Sequence, residues 1–251
     1  MNWIFFAIAG SIAQLIDGSL GMGFGITSST LLITLGASAA VASAAVHAAE
    51  IATTLVSGAS HWHVENIDKD VLVRLAIPGG IGALLGATFL SSIDLSEARI
   101  FISTLLLFLG FLLLYRNLFQ TSTSETVDTN NNPRFLTFLG FSGGFVDAAG
   151  GGGWGPVVTP TLMTTTNMAP RKIIGTVSAA EFIVALSASV GFLLNINKLD
   201  IDWAIVGGLA LGGTLVAPIA ARLVSKLPRR QLAILVGGAV IVINGAKIIG
   251  S

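Results

Sequence analysis

The chain has 251 residues, 53% of them hydrophobic and only 10% charged, with a mean hydropathy of +0.85. Soluble domains carry about 25% charged residues, so this chain cannot wet its own surface, which excludes an ordinary soluble enzyme, a nucleic-acid binder and a disordered region. The absence of cysteine excludes a disulfide scaffold, and 13 basic against 13 acidic residues leave no net charge to attract nucleic acid. The composition is that of an integral membrane protein.

A spanning helix needs about 20 mostly apolar residues. Uncharged stretches lie at 1–16, 18–49, 75–93, 100–115, 148–170, 182–197, 203–221 and 231–246. Runs such as FISTLLLFLGFLLLY (101–115) are apolar all round and lack the alternation of a membrane β-barrel. The fold class is therefore an all-α polytopic bundle of seven to eight hydrophobic segments. The opening MNWIFFAIAG has no basic residue before its apolar run, unlike a secretory signal, and is read as part of the mature protein. In the first half a broken element over 2–35 precedes helices at about 38–59, 71–91 and 98–117. In the second half a broken element over 135–166 precedes helices at about 170–194, 202–222 and 230–249. Between them lies the polar stretch FQTSTSETVDTNNNP, so the chain divides into a first repeat (1–118), a linker (119–133) and a second repeat (134–251).

The halves resemble each other. At an offset of 130, Gly10 pairs with Gly140, Asp17 with Asp147, and Gly21, Gly23 and Gly25 with Gly151, Gly153 and Gly155. One inserted residue later, VHAAE (46–50) faces VSAAE (177–181). Glycine matches are cheap in a chain with 30 glycines, but acidic matches among only 13 Asp and Glu are not. Both first elements are cut by glycine, at DGSLGMGFG (17–25) and DAAGGGGWGP (147–156). Backbone exposed by such breaks is tolerated in lipid only where it is buried in protein or lines a wet cavity.

Charge placement selects a topology. Four crossings per half would make the halves parallel and put six basic residues on one side and seven on the other. A broken element that returns to its own side makes the repeats inverted. Arg99, Lys198 and Lys247 then lie on one side and the other ten Lys and Arg on the opposite side, as the positive-inside rule expects. Both termini are then external and the linker cytoplasmic.

Inverted repeats with discontinuous helices are a recurring plan of secondary transporters. Helix N-termini offer free N–H groups and a positive dipole end to an anion. The hydroxyl-rich stretches ITSSTLLIT (26–34) and VVTPTLMTTT (157–166) follow the breaks. The substrate-binding candidates are Gly21, Gly23, Gly25, Thr27, Ser28 and Ser29 in the first half. In the second half they are Gly151, Gly152, Gly153, Trp154, Gly155 and Thr159. Close helix packing alone would account for many of these small residues, but not for their clustering at matched places.

The motif GFSGGFVDAAGGGGWGPVVTPTL (140–162), with its more degenerate first-half copy GSLGMGFGITSSTLL (18–32), resembles the TauE/SafE sulfite exporter family, and the resemblance covers essentially the whole chain. It implies a transporter in the cytoplasmic membrane moving sulfite, an organosulfonate or a similar small sulfur-containing anion, with export the expected direction. The related thiosulfate-uptake proteins rely on cysteines that this chain lacks, which argues against thiol-assisted handling.

Asp17 and Asp147 sit at the breaks, and Glu50 and Glu181 lie inside apolar helices. An ionised carboxylate at the bilayer centre costs at least ~2.5–3.5 kcal/mol, so such acids are functional candidates. Beside an anion site they would repel the substrate unless protonated. We therefore expect proton coupling, with Glu50 and Glu181 as the carriers; capping of buried N–H groups is the competing role for Asp17 and Asp147. Sodium is the alternative coupling ion. HWHVENIDKD (61–70) reads as a solvated interhelical loop rather than a metal site, His47 as a buried hydrogen-bonded histidine, and RLVSKLPRR (222–230) as a cytoplasmic anchoring loop. No cofactor or metal is expected. The expected partners are a small anion, the lipid bilayer, a coupling ion and, as an open option, a second copy in a homodimer. A passive anion channel of the same fold is the alternative function. An intramembrane serine protease, suggested by GFSG (140–143), is disfavoured because His47, His61 and His63 all precede the serine.

Overall fold

The computed structural model of the protein describes residues 3–93, 95–119, 132–195 and 199–223, together with 234, 237–238, 240–242 and 244–245. Among these the chain is helical, with no strand. The helices are α1 (Trp3–Leu20), α2 (Phe24–Thr34), α3 (Ala39–His63), α4 (Lys69–Ser92), α5 (Leu95–Phe119), α6 (Pro133–Gly150), α7 (Trp154–Thr165), α8 (Pro170–Leu193) and α9 (Trp203–Leu223). Most of the linker expected at 119–133 lies outside the described residues. So does most of the segment expected at 230–249, whose described residues are helical.

Local signals set the helix starts. Ser38 Oγ accepts from the Val41 N–H (3.3 Å), Asp68 from Asp70 and Val71 (both 3.1 Å), Asn132 from Arg134 (3.0 Å) and Asp202 from Ala204 (2.8 Å). These are the short polar side chains that satisfy first-turn donors. Pro133 and Pro170 each open a helix, where a missing N–H costs nothing.

Among the described residues, four helices are long and apolar enough to cross a membrane: Ala39–His63, Lys69–Ser92, Pro170–Leu193 and Trp203–Arg222. At 1.5 Å per residue, α2 (11 residues) and α7 (12 residues) reach only about 16–18 Å, roughly half of a ~30 Å hydrocarbon core. The outer surface is apolar, with Ile77, Phe108, Leu215 and Val242 among its exposed side chains, as lipid contact requires.

Helix directions follow from which residues meet. Ser57 and Ser178 are hydrogen-bonded (2.7 Å), while His47, earlier on α3, meets Phe192, later on α8. α3 and α8 therefore run antiparallel, although they occupy matched places in the two halves. α4 runs parallel to α8, with Gly79 against Val184 and Ala87 against Gly191. α1 packs on α9 and α6 on α4, through glycines that let backbones touch. A Cβ on Gly144 would lie 2.0 Å from the Gly79 carbonyl oxygen, and one on Gly212 would lie 1.8 Å from that of Ala7. Such small-residue contacts are what hold helices together in lipid.

The 61–70 stretch differs from expectation. His61 to His63 form the last turn of α3, and Lys69 and Asp70 open α4. His61 is fully buried and faces the Asn66 amide at 3.4 Å. The cause is α8, whose Gly175 presses against the Asn66 backbone and whose Thr176 hydroxyl accepts from the Asp68 N–H (2.9 Å). His61 and Asn66 are thereby packed under a neighbouring helix, while Trp62 to Glu65, Lys69 and Asp70 stay exposed as expected of a solvated loop.

Candidate functional site at two broken helices

Each break reverses the chain sharply. In a straight helix residues seven apart are separated by about 10 Å along the axis. Here a Cβ on Gly23 would touch Ile16 at 3.0 Å, and one on Gly153 would lie 2.5 Å from Val146 Cγ1. The turns use conformations that suit glycine: Gly21, Gly23, Gly151 and Gly152 all have positive φ. The acid seven residues before each short helix caps it from outside. Asp147 Oδ1 accepts from the Trp154 N–H (3.0 Å), and the Asp17 carboxylate accepts from the Phe24 N–H.

The two breaks then meet. Gly25 lies so close to Gly152 that a Cβ on Gly152 would stand 2.2 Å from the Ile26 N. Gly155 fits against Met22 and Gly21 in the same way. Two hydrogen bonds tie the breaks reciprocally. Ser29 Oγ donates to the Gly151 carbonyl, and Thr159 Oγ1 donates to that of Gly21 (2.5 Å). Donors and acceptors are both 130 residues apart (159 − 29 and 151 − 21). Each bond satisfies a buried carbonyl. Ser29→Ala and Thr159→Val should therefore each cost about 1–3 kcal/mol, and the double variant should deviate from additivity, as measured by unfolding in detergent.

Around this crossing gathers a buried group of ionisable side chains. Glu50 is 1% exposed, and neither of its carboxylate oxygens has a hydrogen-bond partner; Oε1 lies against Gly25. His47 Nδ1 donates to the Ser43 carbonyl (2.7 Å), which leaves Nε2 facing Asp147 Oδ2 at 3.1 Å and Glu50 Oε2 at 4.0 Å. With Nδ1–H committed to Ser43, Nε2 is the ring atom that meets the Asp147 carboxylate. Glu181 on α8 is buried within electrostatic reach of Asp17, Glu50 and Asp147, without a hydrogen bond to them. His47, Glu50 and Asp147 also place one ligand-type atom each within 4.8 Å of one another, the one such set among the described residues.

The sequence-derived candidates thus divide. Gly21, Gly25, Gly151, Gly152, Gly155, Ser29 and Thr159 form the contact between the breaks. Gly23 and Gly153 shape the turns. The hydroxyls of Thr27 and Ser28, in the first turn and a half of α2, are buried with no hydrogen-bond partner. Trp154 is fully buried as a wall, its indole N–H donating to the Val177 carbonyl (3.1 Å). The buried, hydrogen-bonded state expected of His47 is observed, and its partner is the break aspartate of the other half. Gln14 was not singled out from the sequence. It is buried in α1 with both amide atoms unpartnered, and the available signal was one amide in an otherwise apolar run before Asp17.

The chain matches the model of the family described as sulfite exporter TauE/SafE over residues 6–246. It is 47% identical over 247 residues to the "Probable membrane transporter protein YtnM" of Bacillus subtilis (strain 168), covering 98% of this chain and 82% of that protein. No solved structure matches it. A whole-length family match on a bundle of spanning helices leaves one assignment: the chain belongs to the TauE/SafE family and is a multi-pass membrane transporter of that type.

Proposed function

We propose that the protein is a proton-coupled carrier that exports a small sulfur-containing oxyanion, sulfite or an organosulfonate, through the crossing of its two breaks. The observation that carries the reading is the unpartnered polar set at that crossing, namely the Thr27 and Ser28 hydroxyls beside the α2 N-terminus and the bare carboxylate of Glu50. Hydroxyl and backbone N–H donors suit an oxyanion without a fixed cation. Four acids against one imidazole would repel an anion if all were ionised, so anion entry requires proton entry. That coupling makes Glu50, Glu181 and His47 the groups that exchange the proton.

Both alternating access and the inverted topology belong to this proposal. The antiparallel course of α3 and α8 and the reciprocal bonds between the breaks support halves related by an axis in the membrane plane. Cysteines introduced singly at Glu125 and Lys198, into a chain with no native cysteine, should label from opposite faces; labelling from one face would exclude inversion.

Counterflow separates carrier from channel. Proteoliposomes preloaded with unlabelled sulfite should transiently accumulate labelled sulfite above its external level, whereas a channel would only equilibrate it. Failure of every sulfur oxyanion to exchange would remove the substrate assignment.

A further inference from the structure

We infer that the protein carries a binding site for one anionic phospholipid, in a cavity between the last turns of α3 and the C-terminal end of α9. The cavity has a volume of about 330 Å³. Leu55, Val56, Ala59 and Val64 from the α3 side and Pro218 and Ala221 from α9 make its walls apolar. Its remaining lining is Ser60, His63 and Arg222, with no acidic residue. Leu55 and Val64 are themselves largely exposed, and so is Ile219 beside them on α9. The cavity therefore opens onto the apolar outer surface and not onto the crossing of the breaks.

This shape selects its occupant by chemistry. A hydrated inorganic anion would leave the apolar walls uncovered, and a neutral acyl chain would leave Arg222 without a counter-charge. A phospholipid with an anionic headgroup satisfies both, its phosphate at Arg222 and His63 and an acyl chain against Leu55, Ala59, Pro218 and Ala221. The chain continues from Arg222 with Lys226, Arg229 and Arg230 and no acid up to residue 230. Basic pockets between spanning helices on the cytoplasmic side are suited to such headgroups. Ser60 is already engaged, donating to the Val56 carbonyl (2.7 Å), so the headgroup preference rests on the two basic side chains.

Native mass spectrometry of the detergent-purified full chain, incubated with equimolar phosphatidylglycerol and phosphatidylcholine, tests the site. The wild type should retain one phosphatidylglycerol, preferred about fivefold or more over phosphatidylcholine, on the scale of about 1 kcal/mol per basic residue near a charged headgroup. The double substitution Arg222→Gln with His63→Gln should abolish the preference, whereas Lys69→Gln, at the exposed start of α4, should keep it. Ala59→Trp should exclude both lipids; should that variant fold poorly, the charge variants alone decide. No headgroup preference in the wild type, or an equal loss with Lys69→Gln, would overturn the site in favour of diffuse attraction. Retention of a fatty acid or detergent in place of phospholipid would overturn the headgroup assignment. None of these readouts depends on what the transporter carries.

Discussion

Gly152→Ala should abolish transport and destabilise the fold by about 3 kcal/mol or more. Its φ of +147° lies in a region sparsely populated by L-residues and costs about 1–3 kcal/mol, and the new methyl would stand 2.2 Å from the Ile26 N and 2.3 Å from the Gly25 carbonyl carbon. Both neighbours are backbone at the first turn of α2, so neither can swing aside; overpacking of this kind adds about 1–3 kcal/mol. The breaks would be pushed apart, with loss of the reciprocal Ser29 and Thr159 bonds. Gly207→Ala is the matched control. Nothing lies within 4 Å of a Cβ there, and alanine in a helix is favoured over glycine by about 1 kcal/mol. Expression, thermal unfolding in detergent and labelled sulfite flux should separate the two variants. Equal behaviour would show that the contact between the breaks is dispensable.

Glu50→Gln should uncouple the carrier. The substitution keeps the size of the side chain and removes the proton-accepting carboxylate from a buried position where its oxygens have no other partner. Downhill exchange of labelled anion should persist, because the Thr27 and Ser28 hydroxyls and the α2 N-terminus are untouched. Accumulation driven by an imposed pH gradient should fall by about 5- to 150-fold, the range of a typical coupling energy. His47→Gln should shift the pH profile more weakly, since it removes the imidazole that faces Asp147 and Glu50 but leaves Asp147 Oδ1 on the Trp154 N–H. A Glu50→Gln protein with unchanged gradient response would move the coupling role to Glu181.

Much of this architecture was legible in the sequence because a bilayer leaves few choices. Continuous apolar runs had to become spanning helices, and glycine clusters at 17–25 and 147–156 had to interrupt them. The expected 38–59 and 170–194 segments became α3 and α8 with shifts of a few residues, the largest where α3 runs on to His63. That extension was hidden because HWH is polar; only His61 of it is buried, and the following turn is held at Asn66 and Asp68 by Gly175 and Thr176, more than a hundred residues away. The same distance concealed the pairing of His47 with Asp147, and of Ser29 with Gly151. Periodicity reports which face of a helix is apolar, not which helix it meets. A residue such as Asp147 could be ranked as unusual, but whether it capped a helix or held a proton was open. Its two oxygens divide these contacts, one on the α7 N-terminus and one on an imidazole.

Labelled sulfite flux in proteoliposomes, measured with and without an imposed pH gradient, decides whether proton and anion move together. Wild type should show saturable flux that the gradient accelerates or reverses, and Glu50→Gln flux should be indifferent to it. Saturable flux blind to the gradient in wild type would contradict the coupling of proton and anion at the crossing of the two breaks.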